Sequence, residues 1–158
     1  MIKEVVKLGS PILKQRSLEV DLKDISKAKL ASLVEDMTDT MIATNGVGIS
    51  AVQIGVLKRI AIIGYSGNNP RYPDMGTCPI TVLINPEIEI IDDNKISYNE
   101  GCLSIPEQRV DVTRPKKLKY TYLTIDGDIV TGVSEDFFAR VLQHEIDHMN
   151  GVLITDHV

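Results

Sequence analysis

Apolar residues recur at three- and four-residue spacing between positions 26 and 44, where Leu30, Leu33, Val34, Met37 and Met41 form one stripe. That period predicts an amphipathic helix, and Asn45 with Gly46 allows it to stop. Small residues then dominate positions 46–55, with Gly46, Gly48, Ser50, Ala51 and Gly55, a composition that admits close approach of backbone or ligand. Positions 59–63 read as a buried strand, and positions 65–79 as a loop full of Gly, Pro and Asn. Positions 81–84 predict a second short strand ended by Asn85-Pro86. Positions 87–91 and 110–113 alternate polar and apolar, as half-buried strands do. Positions 118–125 and 129–133 flank Asp126-Gly127-Asp128, a turn between two strands. The last element is a helix over about 134–150, with Ser134 as its cap, Glu135 and Asp136 at its positive end, and Gly151 closing it. Helix, several strands, then helix, with few crossover-length helices, predicts an α+β fold.

Composition narrows the function classes. The 158 residues suit one domain, and 43% hydrophobic residues supply a core and argue against disorder. A formal net charge of −5 opposes a basic nucleic-acid binder, so no direct nucleic-acid function is expected. No apolar run approaches the ~20 residues of a membrane helix, and the polar start Met1-Ile2-Lys3-Glu4 does not resemble a secretory signal. Two cysteines, Cys78 and Cys102, do not make a disulfide scaffold, so the chain reads as intracellular.

The three histidines are His144, His148 and His157, and two of them fall in Gln143-His144-Glu145-Ile146-Asp147-His148. Residues four apart share a helix face, so His144 and His148 can present imidazoles to one ion. Glu145 sits beside the first and can exchange a proton with a metal-activated water. A third ligand must come from elsewhere. His157 lies near the last residue and reads as exposed. Cys102, in Glu100-Gly101-Cys102-Leu103-Ser104-Ile105-Pro106, is the better candidate, because a thiolate binds zinc or ferrous iron strongly. A buried inert cysteine is the alternative. Cys78, in a proline-rich loop, reads as incidental. A Cys-His-His set leaves room for water and suits hydrolysis of a carbonyl compound, whose tetrahedral intermediate needs donors. The Gln53 amide and the Leu103 backbone N–H are candidates.

Three motifs, in order, carry a resemblance to peptide deformylases: Gly46-Val47-Gly48-Ile49-Ser50-Ala51-Val52-Gln53, the Glu100–Pro106 segment continuing to Arg109, and the histidine segment. The resemblance covers nearly the whole chain. It implies removal of the N-formyl group from the initiator methionine of nascent polypeptides, with release of formate. It implies Cys102, His144 and His148 as ligands of Fe2+, with Zn2+, Ni2+ or Co2+ able to occupy the same site. Glu145 would be the proton-transfer group, and Gln53 and Leu103 the oxyanion donors. The fold would be α+β, with small antiparallel sheets around a central helix carrying the histidines. Arg114 would pair with Asp147 to support that helix, and Glu100, Gly101 and Arg109 would shape or support the site. Val47, Gly48, Tyr98, Phe137 and Val141 would form the methionine pocket, and Ile49 would pair with the substrate backbone. The resemblance also implies a cytoplasmic or mature organellar protein with transient ribosome contact.

Two departures matter. Ser50 and Val52 stand where the family pattern has alanine and commonly proline. A hydroxyl at a close-packed position costs energy unless satisfied, and losing the proline predicts a less rigidly aimed Gln53. The chain stops at Val158, where many bacterial members continue into a C-terminal helix, so residues 1–158 read as a single catalytic domain without that extension. Other readings are a relative acting on another N-acyl substrate and a non-catalytic binding or scaffold protein of the same fold. An intact Glu145 beside the ligand residues counts against the scaffold.

Overall fold

The computed structural model describes all of residues 1–158. Two helices, α1 (Lys27–Ala43) and α2 (Phe137–Met149), pack against a five-stranded antiparallel sheet in simple meander order: β1 (Gly48–Ser50), β2 (Ile60–Tyr65), β3 (Cys78–Cys102), β4 (Ile105–Leu123) and β5 (Ile129–Ser134). The α+β class expected from the pattern is the one observed.

The first helix follows its stripe, with Leu30, Met37 and Met41 buried and Ser26 accepting a hydrogen bond from the Lys29 N–H as cap. The second differs at its start. Ser134 is the last residue of β5, paired with Leu118, and the cap is Asp136, whose carboxylate accepts from Phe138 N–H at 3.0 Å. Sheet pairing outcompetes capping at Ser134 because Ile129–Ser134 keeps its register with β4 to the end.

The strands at 81–84 and 87–91 are parts of one strand, and Asn85-Pro86 does not end it. One extra residue is inserted between the Ile84 and Glu87 pairings, a bulge that needs no N–H from Pro86. Asn85 adopts φ 49°, and its amide holds both backbone groups of Val20, each at 2.8 Å. The predicted turn at 126–128 joins β4 to β5, with Gly127 at φ 87°.

Three apolar clusters meet around α2 and β1. The second helix is buried nearly all round, including Val141, Leu142, Ile146 and Met149, so it is the central element rather than a surface helix. Its C-terminal end is clamped by buried Arg59, whose Nη1 donates to the Met149 carbonyl at 3.1 Å, a favourable place for a cation. Gly151 follows at φ 75°, where a Cβ would collide with the Lys14 carbonyl.

Candidate metal centre

The β3–β4 hairpin ends in a two-residue turn, Leu103-Ser104, with Cys102 opposite Ile105. That tip carries the thiol to the α2 face bearing His144 and His148. Cys102 Sγ lies 3.3 Å from His148 Nε2, which lies 3.2 Å from His144 Nε2, and the three donor atoms are all within 4.8 Å of one another. His157 is not among them; its Nε2 faces Asp147 at 2.9 Å. Cys78 stands half-buried at the start of β3, outside the cluster.

The donor set fits a divalent cation. Sulfur from the hairpin tip and two imidazole nitrogens from one face of α2 converge, a donor set zinc and ferrous iron accept. Burial alone would raise the Cys102 thiol, but the charges of His148 and His144 and their hydrogen bonds outweigh it and hold it well below its ordinary value. The thiolate is the form that binds metal. His144 is oriented from behind: its Nδ1 lies 3.0 Å from Glu100 Oε1, leaving Nε2 to the cluster.

Glu100 is 2% exposed and anchors a charged network. It accepts from Arg114 Nε and Nη2 at 2.7 and 2.9 Å and from Arg140 Nη1 at 2.6 Å. Arg114 Nη1 donates onward to Asp147 at 2.8 Å. Burial raises the Glu100 pKa, yet the hydrogen bonds and charges of Arg114 and His144 prevail and hold it far below the usual carboxylate range.

Glu145 points the other way, against β1. A Cβ on Gly48 would sit 2.6 Å from Glu145 Oε2, so only glycine leaves space for the carboxylate. Burial raises the Glu145 pKa above its ordinary value, with His144 and His148 pulling against that shift. The Ser50 hydroxyl is satisfied: it reaches the Glu145 backbone carbonyl at 3.0 Å and Oε1 at 3.1 Å. The expected cost of an orphaned hydroxyl is therefore not incurred. Gln53 is held at both ends of its amide despite Val52: Oε1 accepts the Ser50 N–H at 2.9 Å, and Nε2 donates to Ser104 Oγ at 3.1 Å, with Cys102 Sγ at 3.8 Å.

Cys102, His144, Glu145, Glu100, Gly48 and Gln53 line one cavity together with Val47, Leu103, Phe137 and Val141. Gly101 lines it too, whereas Tyr98 stands behind Phe137 at a ring distance of 6.1 Å and lines the neighbouring hollow. Ile49 has its side chain fully buried in the core. β1 itself is an edge strand, paired only with β2.

The comparisons agree with this geometry. Residues 2–158 match the family profile described as "Polypeptide deformylase". The chain is 42% identical over 157 residues to "Peptide deformylase 1" of Prochlorococcus marinus, covering 99% of this chain and 81% of that protein. It is 43% identical over 153 residues to "Peptide deformylase 1" of Nitrosomonas europaea, covering 97% and 85%. The crystal structure of a class I type b peptide deformylase from Acinetobacter baumannii, with Met-Ala-Ser bound, superposes with a TM-score of 0.94 at 38% identity, covering 100% of this chain and 99% of that one.

The chain belongs to the polypeptide deformylase family. It is a metal-dependent hydrolase of N-formyl groups. Against that identity, three cavity residues stand out that sequence reasoning did not single out for the site: Arg71, Tyr72 and Arg140. Tyr72 is buried, its hydroxyl accepts the Gly101 N–H at 2.7 Å, and its ring packs 5.1 Å from Phe137. Arg140 shares Glu100 with Arg114 and also donates to the Val112 and Ile96 carbonyls at 2.9 and 2.6 Å. Its position four residues before His144 was the available signal. Arg109 lies outside this network, with its Nε donating to Asn99 Oδ1 at 2.7 Å.

Proposed function

We propose that residues 1–158 act as one catalytic unit that removes the formyl group from the N-terminal formylmethionine of nascent polypeptides and releases formate. The observation that carries this reading is the convergence of the Cys102, His144 and His148 donor atoms within 4.8 Å, beside the cavity lined by Cys102, His144 and Glu145. Fe2+ is the ion in cells, with Zn2+, Ni2+ or Co2+ able to take the same donors. A divalent cation there would supply a water of lowered pKa and polarise the formyl carbonyl.

The side chains do the rest. Glu145 accepts a proton from the attacking water and returns it to the leaving nitrogen as the C–N bond breaks. Burial raises its pKa above the ordinary carboxylate value, the direction that suits a group that both takes and gives a proton. The Gln53 amide, its oxygen held by the Ser50 N–H, gives up one of its NH2 contacts, to Ser104 Oγ or Cys102 Sγ, to donate to the oxygen where negative charge develops. The Leu103 backbone N–H is the second donor. Val47, Phe137 and Val141 take the methionine side chain, with Tyr98 supporting Phe137 from behind. The free edge at Gly48 and Ile49 pairs with the peptide backbone by strand addition. Glu100, Arg114 and Asp147 hold the His144 ring and the helix beneath it.

No helix is long and apolar enough to cross a membrane, and the enzyme meets its substrates in the cytoplasm, or in mature form within an organelle, through transient contact with the ribosome. The test is formate release by protein prepared anaerobically with Fe2+, using formyl-Met, formyl-Ala and acetyl-Met peptides. Formyl-Met turnover should exceed the others, and Glu145→Ala should keep its metal while losing at least ~100-fold in turnover. Rapid turnover by Glu145→Ala would refute the assigned proton transfer. Failure of metal-loaded wild type on formyl-Met would refute the substrate.

A further inference from the structure

Two guanidinium groups stand over Gly101: that of Arg71, which lines the cavity with Gly101, and that of Arg109 beside it. A Cβ on Gly101 would meet Arg71 Nη2 at 2.6 Å and Arg109 Nη1 at 3.0 Å, so the two cations flank one point. Both sit on the buried Tyr72 ring, with Arg71 and Arg109 5.8 and 4.8 Å from its centroid. Arg109 is aimed by Asn99, which takes Nε at 2.7 Å and Nη2 at 2.9 Å and leaves Nη1 facing the gap.

No carboxylate answers these charges. The other two arginines of the site, Arg114 and Arg140, are paired with Glu100, whereas neither Arg71 nor Arg109 has an acidic partner within 4.0 Å. Of the two carboxylates lining the cavity, Glu100 is saturated by Arg114, Arg140 and His144, and Glu145 faces β1. Like charges repel, and although water screens the exposed Arg109, two unpaired guanidiniums beside one glycine favour an anion that can reach both. Planar guanidinium forks match the paired oxygens of carboxylates and phosphates, and of these a peptide chain carries carboxylates.

We propose that Arg71 and Arg109 form a carboxylate subsite that selects peptides with Asp or Glu within the two residues after the formylmethionine. The placement follows from the cavity: Arg71 and Gly101 line it together with Cys102 and His144, so the subsite opens on the space that holds the donor atoms. The proposal rests on the deformylase reading, since that reading places the peptide in this cavity.

The experiment uses the full chain loaded with Fe2+ and C-terminally amidated peptides: formyl-Met-Ala-Ser, formyl-Met-Glu-Ser, formyl-Met-Gln-Ser, formyl-Met-Ala-Glu and formyl-Met-Ala-Gln. At low salt, kcat/KM for the Glu peptide should exceed that for its Gln partner about fivefold at one of the two positions, the scale of partly exposed charge pairs. The ratio should fall toward one as NaCl rises. It should collapse in Arg71→Gln/Arg109→Gln and survive in part in Arg71→Lys/Arg109→Lys. The unformylated amides Met-Glu-Ser and Met-Gln-Ser, together with Met-Ala-Glu and Met-Ala-Gln, titrated by calorimetry, read the same selectivity without turnover. Loss of turnover and loss of carboxylate recognition are thereby distinguished. A Glu:Gln ratio near one at both positions in wild type, or a ratio that persists in the double Gln variant, overturns the proposal. So does competitive inhibition by sodium formate that depends on both arginines while peptide selectivity is absent, because the pair would then hold the free product anion.

Discussion

Glu100→Gln removes one negative charge from a site where four nitrogens converge. Glu100 is 2% exposed and Arg114 is 4% exposed, so water does little to replace the lost charge. The glutamine amide would set an NH2 donor against donors that now find acceptors at 2.6–3.0 Å. Arg114 would keep Asp147 at 2.8 Å, a carboxylate that is 25% exposed. Removing one partner of a buried ion pair costs about 3–5 kcal/mol, and the remaining Asp147 places this case near the lower figure. That is a large share of a typical net stability of ~5–15 kcal/mol. Urea unfolding at pH 7 should show the midpoint falling with an unchanged slope. Because His144 Nδ1 also loses its carboxylate, metal affinity measured by chelator competition should fall about 10–100-fold.

The pH dependence has a definite sign. The Glu100 pKa is lower in the folded chain than the unfolded value of about 4.3. Its stabilisation is therefore present above that unfolded value and is lost as pH falls from there toward the folded one. The gap between wild type and Glu100→Gln should be constant at neutral pH and narrow below about pH 4. A loss under 1 kcal/mol at pH 7, or a gap unchanged at pH 3, would refute this account of the network.

Two further substitutions probe the carboxylate on the other side of α2. Ser50→Ala removes the hydroxyl 3.1 Å from Glu145 Oε1, a buried contact worth about 1–2 kcal/mol; steady-state kinetics should show kcat down about 5–30-fold with KM little changed, and an unchanged kcat would show that the hydroxyl does not position the group. Gly48→Ala puts a methyl 2.6 Å from Glu145 Oε2 and 2.8 Å from Val141 Cγ1; thermal unfolding should report about 1–3 kcal/mol of overpacking, accompanied by a larger loss of turnover than Ser50→Ala, and full activity would mean that the carboxylate can move away freely.

Much of the site was legible because its spacing is local. His144 and His148 share a face by helix geometry alone, and the stripe from Leu30 to Met41 placed the first helix within one residue of each end. Asn85-Pro86 misled because its reading depends on Val20, 65 residues away, which turns a chain-breaking dipeptide into a bulge inside a 25-residue strand. Ser134 misled because β4 claims it first. Arg140 carried helical spacing to His144, but its value lies in Glu100, 40 residues earlier.

The sequence by itself determined the α+β class, the histidine pair, the neighbouring Glu145 and the cysteine most suited to join them. These follow from residue type and from periods of two or about 3.6 residues, which act over one or two turns of chain. Only the tertiary structure decided the rest: that the tip of the β3–β4 hairpin reaches α2, that Ser50 meets Glu145 across 95 residues, and that Arg71 and Arg109 share the space over Gly101. Those contacts arise when the apolar clusters close around α2 and bring distant segments within a few ångströms. No local pattern encodes them, because the partners are neighbours in space and not along the chain.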